Sequence, residues 1–301
     1  MSERIEENGG PLAGVELGGT KCVLTLASSA ERILAREVVP TGKPDETLGA
    51  IEAVLRRWRD DTGFAALGIA SFGPVDLDPA SATWGYVTAS PKPGWQGIDV
   101  ARRLGGPFAV PAAFDTDVNG AAAAEMTWGA GRGLADFAYV TVGTGIGVGL
   151  IANGRPMRGF QHCELGHVRV QRLSSDAFEG ICPYHAACAE GLASGPAIGA
   201  RVGGDAAGLP PDDPVWQYVV DVLAQLCHAI VCAAAPQRIA IGGGVVSGQP
   251  HLFPRIEAAL RASLGGYMAL PASPYVIAPG LGDEAGPLGP IALARGCDQQ
   301  V

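Results

Sequence analysis

No uninterrupted apolar run in this 301-residue chain reaches the roughly 18–20 residues that a bilayer-spanning helix requires, although 48% of its residues are hydrophobic. The opening, MSERIEENGGPLAG, has no apolar core of signal-peptide type. These absences lead to the expectation of a soluble, cytoplasmic protein with no membrane partner. Cationic excess is also missing: 21 Lys and Arg stand against 30 Asp and Glu, a net charge of −9. Backbone contacts to nucleic acid depend on clustered Lys and Arg, so general nucleic-acid binding is not expected, and an anionic ligand must be held by local groups. The 7 cysteines are odd in number and scattered, which argues against a disulfide framework and for free thiols. No low-complexity linker separates the halves of a chain long enough for two domains.

Several familiar motifs are absent as well. A Walker loop needs G-x-x-x-x-G-K-[ST], whereas Lys21 here follows Gly18-Gly19-Thr20 directly. A dinucleotide fingerprint fails at Gly143 and Gly145 because Val148 and Leu150 occupy the positions of its last glycine. Neither G-x-S-x-G nor H-E-x-x-H occurs.

Glycine, in contrast, is abundant, at 44 residues, and much of it follows apolar β-like runs. Ala13–Leu17, the turn Gly18-Gly19-Thr20-Lys21 and Cys22–Leu26 read as a hairpin with a glycine-rich tip. The pattern recurs as Phe137–Val142, Gly143-Thr144-Gly145 and a second β run to Ala152, which suggests a duplicated unit opening each half. A third cluster, Gly242-Gly243-Gly244, follows the run Arg238–Ile241. Such turns expose backbone N–H groups and admit an anion without a Cβ in the way, although strand turns also use glycine for steric reasons alone. Between the clusters, Leu48, Ile51, Val54, Leu55 and Trp58 recur at helical spacing, and a long helix is expected over Pro214–Ala235. Alternating strands and helices indicate α/β architecture.

The segment CPYHAACAEG, Cys182–Gly191, spaces Cys182, His185 and Cys188 evenly, with His167 upstream. Two thiolates and two imidazoles are a ligand set suited to tetrahedral zinc. Two buried thiols beside a surface histidine would have the same spacing.

VELGGTKCVLTLA, FDTDVNGAAAAEMTWGAG, YVTVGTGIGVGLIANG, HCELGHVRV, CPYHAACAEGLASGP and IAIGGGVV, in that order, resemble the ROK family of sugar kinases and repressors, and within it the bacterial fructokinase branch. The resemblance implies an actin-like, ribonuclease-H-type fold: a small N-terminal domain over residues 1–117, completed by a C-terminal helix at about 286–301, and a larger domain over 118–285, with a cleft between them. It implies ATP-dependent phosphorylation of a hexose, fructose first and glucose or mannose next, by a homodimer. A repressor would carry a helix-turn-helix before the first hairpin, and only about a dozen residues precede Val15.

The resemblance makes Asp117 the catalytic base, with Asp115 its rival; position alone leaves Asp117 equally suited to capping a helix. It places Glu16 on magnesium, Gly18, Gly19, Thr20, Lys21, Gly143, Thr144 and Gly145 on the phosphates, and Gly242, Gly243 and Gly244 beneath adenosine. Glu164, His167 and Glu190 match the family's sugar ligands, and His162 has a family position near the sugar. The Trp95 loop is either a sugar-facing wall or a packed turn. Structural zinc is implied at His167, Cys182, His185 and Cys188. Cys22 reads as strand packing, and Cys227 and Cys232, on the expected long helix, as core or surface positions.

Overall fold

The computed structural model describes residues 10–204 and 208–296, and these form two compact units. Residues 1–9 and the end of the expected closing helix lie outside the described residues. The first unit comprises the chain as far as Trp128, the short segment Arg158–His162, and the chain from Glu284 onward. The second comprises Gly129–Met157 and Cys163–Asp283.

The first unit opens with β1 (Leu12–Leu17) and β2 (Lys21–Ser29), the antiparallel hairpin read from sequence. Strand β3 (Arg32–Pro40) continues it antiparallel at the sheet edge. Its mixed sequence carries little signal, and Ile33, Leu34 and Val38 are exposed there. Helix α1 (Pro44–Asp61) begins on Pro44, has Asp45 and Glu46 in its first turn, and buries Leu48, Ile51, Val54, Leu55 and Trp58. Strand β4 (Ala66–Ser71) is buried at every position and lies parallel to β1, as a central parallel strand should. A two-residue pair, β5 (Tyr86–Val87) and β6 (Ile98–Asp99), and α2 (Val100–Gly105) precede β7 (Ala112–Thr116), which lies parallel to β4. Ahead of β7, Gly106–Phe108 forms a 3-10 turn. Strand β7 runs directly into α3 (Asp117–Trp128). The sheet order is β3-β2-β1-β4-β7.

In the second unit, β8 (Phe137–Val142), β9 (Ile146–Ala152) and β10 (Arg155–Pro156) form an antiparallel meander. After the short helix α4 (Ala189–Ala193), α5 (Gly195–Val202) and α6 (Val215–Ala234), β11 (Ile239–Gly242) joins parallel to β8. Following α7 (Leu252–Ser263), β12 (Val276–Ile277) pairs parallel with β11. The order β10-β9-β8-β11-β12, with its strand senses, repeats the order of the first sheet. The duplication read from the two glycine turns is therefore a duplication of topology. Helix α6 is long and apolar enough to cross a membrane by length and composition, but Trp216, Val219, Leu223, Leu226 and Ile230 belong to the core of this unit.

Helix α8 (Ala285–Arg295) returns to the first unit and packs on β1, β4 and α3. Small residues allow the approach: a Cβ on Gly68 would lie 1.7 Å from the Pro290 carbonyl oxygen, and one on Gly289 would lie 2.7 Å from the Gly120 backbone. This packing holds α3 in the first unit, so the boundary falls after Trp128 and not at the expected residue 117.

Candidate active site and metal centre

In the first unit the acids gather where β1 and β7 end. Thr116 Oγ1 accepts from Asn119 N at 3.1 Å, so Thr116, and not Asp117, caps α3. Asp117 is the first helical residue, and its Oδ1 accepts from Val118 N at 2.8 Å. The rival Asp115 is 2% exposed, takes Thr116 N at 2.7 Å and Asn119 Nδ2 at 2.8 Å on Oδ1, and is ion-paired to Arg158 through Oδ2. Its acceptor capacity is committed inside the protein. Burial, and then the nearby charge of Asp117, push Glu16 up to about 7 against the opposing pull of Lys21 and Arg36. A carboxyl raised by burial beside a second carboxylate suits a bound divalent cation, which would relieve the repulsion.

The first glycine turn separates into two kinds of position. A Cβ on Gly18 would lie 2.6 Å from the Lys21 carbonyl oxygen, whereas one on Gly19 would meet nothing within 4 Å. Thr41 Oγ1 donates to the Gly18 carbonyl at 2.8 Å and Lys92 Nζ donates to that of Gly19, which fixes the tip. Gly19, Thr20 and Lys21 are exposed.

In the second unit four elements converge on the turn after β8. Glu190, from α4, accepts Ile146 N on Oε2 at 3.0 Å, and a Cβ on Gly145 would stand 2.6 Å from that oxygen. Gly166, in the turn Leu165–His167, sits where a Cβ would lie 1.8 Å from the Ile146 carbonyl oxygen. Gly195 N donates to the Gly143 carbonyl at 2.8 Å. Gly243, at φ +92°, lies against Val142, so a Cβ there would come within 2.4 Å of the Val142 oxygen. Gly143 and Gly244 face open space, and Thr144 is exposed. Thus Gly18, Gly145, Gly242 and Gly243 are demanded by packing, whereas Gly19, Gly143 and Gly244 have no such steric reason.

Four ligand atoms from His167, Cys182, His185 and Cys188 lie within 4.8 Å of one another. His167 Nδ1 is 3.8 Å from Cys182 Sγ and 3.6 Å from Cys188 Sγ, and His185 Nδ1 is 3.6 Å from Cys182 Sγ. Zinc bonds of about 2.3 Å to sulfur and 2.0–2.1 Å to nitrogen imply tetrahedral S···N edges of about 3.5 Å, so the residues fit that ion. Gly191 N donates to Cys188 Sγ at 3.3 Å. Burial pushes the Cys188 thiol up to about 11, so ligation there must expel a proton. Glu190 Oε1 is 3.9 Å from His167 Nδ1, which links this cluster to the glycine turn through one side chain.

The ROK family model matches residues 12–296. The chain belongs to the ROK family. Among its relatives, a fructokinase of Pediococcus pentosaceus is 39% identical over 94% of this chain and 97% of its own. A fructokinase of Zymomonas mobilis is 40% identical over 95% and 97%. The crystal structure of a ROK glucokinase from Streptomyces griseus in complex with glucose and AMPPNP has a TM-score of 0.76 and 25% identity, and covers 95% of this chain and 99% of that one. The fold is the actin-like ATPase type that the ROK resemblance implies.

One site expectation is overturned. Trp95 is fully buried, its Nε1 donates to the Gly42 carbonyl at 3.0 Å, and it packs edge-on against Phe72 at 5.1 Å. It is a core residue and offers no face to a sugar. His162, 8% exposed, accepts Val75 N on Nε2 at 3.1 Å within the first unit, whereas Glu164 is exposed in the second. Arg158 and Ile146, which anchor Asp115 and Glu190, carry no sequence signal of that role.

Proposed function

We propose that the chain is an ATP-dependent hexose kinase that transfers the γ-phosphoryl group of ATP to the 6-hydroxyl of fructose. The observation that carries this reading is 39–40% identity to fructokinases over nearly the full length of both chains. In the reaction the hydroxyl oxygen bonds to the γ-phosphorus, the bond from that phosphorus to the β–γ bridging oxygen breaks, ADP leaves, and the hydroxyl proton passes to Asp117. Placement at a helix N-terminus favours the ionised carboxylate, so Asp117 orients the hydroxyl and takes its proton late.

In the first unit Gly19, Thr20 and Lys21 hold phosphate, and Glu16 holds magnesium, which supplies charge neutralisation on the phosphates. In the second unit Gly143 and Thr144 hold phosphate, and Gly244 lets adenosine lie on the backbone, while Gly18, Gly145, Gly242 and Gly243 keep these turns in shape. Glu164 and Glu190 accept from sugar hydroxyls, and His167 is shared with the metal cluster. Zinc at the four-residue cluster is structural, because four protein ligands leave no open position. The same reading makes the protein a cytoplasmic homodimer that binds neither nucleic acid nor membrane; sedimentation measures the first property and DNA titration the second.

A coupled ADP-release assay over fructose, glucose, mannose and their N-acetylamino analogues tests the assignment. A higher kcat/KM for fructose than for any other hexose is the expected result, and a preference for glucose or mannose overturns it.

A further inference from the structure

We infer that Arg158 is a positioning residue for phosphoryl transfer, acting on Asp117 through Asp115; this rests on the kinase reading above. Asp115 is the penultimate residue of the parallel pairing of β7 with β4, opposite Ala70, and Thr116 closes that pairing opposite Ser71. The Asp115 carboxylate spans the junction where Asp117 begins α3: Oδ1 takes the backbone N–H of Thr116 and the side-chain amide of Asn119. Thr116 and Asn119 are each 4% exposed and are themselves joined by the cap. These two residues bracket Asp117 in the chain, so the direction of its Cα–Cβ bond is set by a buried network centred on a carboxylate that ligands do not reach.

Such a carboxylate is costly without a cationic partner. Among the described residues, Arg158 supplies the ion pair to Asp115. Its side chain is 37% exposed while that of Asp115 is 3% exposed, so the guanidinium closes the network from the solvent side. Arg158 reaches this place from the short segment Arg158–His162, which belongs to the first unit although the chain on either side of it belongs to the second. Two further contacts fix that segment: the bridge between Arg158 and His162, and the bond from Val75 N to His162 Nε2. A shift of about 1 Å in a reacting group can lower turnover by two orders of magnitude. The anchor therefore acts on kcat and not on ligand affinity.

The test compares wild type, R158M, R158K and D115N/R158M by steady-state kinetics and thermal melting. R158M is expected to lower kcat about tenfold with KM for hexose and for ATP within about twofold of wild type. R158K is expected to recover part of the loss, because it restores the charge without the fork. In D115N/R158M no buried charge is left unpaired, so that protein folds even if R158M does not, and its kcat is expected to stay several-fold below wild type because the strand end has lost its anchor. A wild-type kcat in the double variant overturns the assignment, as does a change confined to melting temperature or to the hexose KM. A wild-type enzyme that releases no ADP with any hexose would instead defeat the kinase reading.

Discussion

At the scale of single residues, the separation of Asp115 from Asp117 depends on what each carboxylate is bonded to. Both stand in FDTDVNG, and position in the chain suits either to capping or to catalysis. The structure assigns the cap to Thr116 and gives Asp115 three donors inside the protein. Asp117→Asn should therefore reduce kcat by about 10²–10⁴-fold while titration calorimetry still records hexose binding; retained turnover would transfer the base role elsewhere. Trp95 shows why other residues are not legible from sequence. A tryptophan in a Pro- and Gly-rich loop reads the same whether it packs or binds, and only its burial against Phe72 and Gly42 decides. The pairing of Arg158 with Asp115 is hidden for a related reason, since a hairpin and a distant strand end meet there without any shared periodicity.

A second residue-scale device lies in the core of the second unit. Arg201 forks onto Asp176 at 2.8 and 2.9 Å, both side chains are nearly buried, and the guanidinium stacks on Phe178 and Tyr218. The Arg201 hydrogen bonds hold the Asp176 carboxyl below its ordinary range. A depressed folded-state value contributes stability above the unfolded carboxylate value of about 3.9 and loses it as pH falls through the folded value. Arg201→Met should cost about 3–5 kcal/mol in urea unfolding at neutral pH, because Asp176 is left buried and unpaired. The deficit should shrink below about pH 4, where the unpaired carboxylate is protonated.

At the scale of elements, the glycine turns and the metal loop are legible in kind but not in detail. The sequence pattern locates all three glycine clusters, because each follows directly on an apolar β-like run. It does not distinguish glycines that pack from those that face open space, which depends on what lies opposite. Gly19→Ala should leave the melting temperature near wild type and raise KM for ATP. Gly243→Ala should instead lower the melting temperature by several degrees, since its φ is positive and Val142 stands in the way. In the metal loop, spacing indicates the ligand set, while the coupling to Glu190 through Ile146 and His167 appears only in the fold. Zinc analysis should give about one ion per chain. Stripping it with a strong chelator should lower both the melting temperature and hexose affinity, with uptake becoming slower and weaker at acid pH as Cys188 retains its proton. Undiminished hexose affinity in verified zinc-free protein would separate the metal from the sugar site.

At the scale of the whole molecule, two sheets of one strand order account for most of what the sequence implies. The repeat is visible because each copy must open with a hairpin whose tip is glycine-rich. The boundary is misplaced from sequence because a helix that follows a strand end carries no mark of the unit it will pack in. Helix α8 determines that point. It is the last described helix of the chain, yet it covers β1 and β4, among the first strands made. A ribosome therefore releases the complete second unit before the first can close its core, and the N-terminal sheet must wait with one face uncovered while about 280 residues emerge. In the cell, a chaperone that recognises apolar strands would meet this protein at its beginning, long after that beginning had left the tunnel.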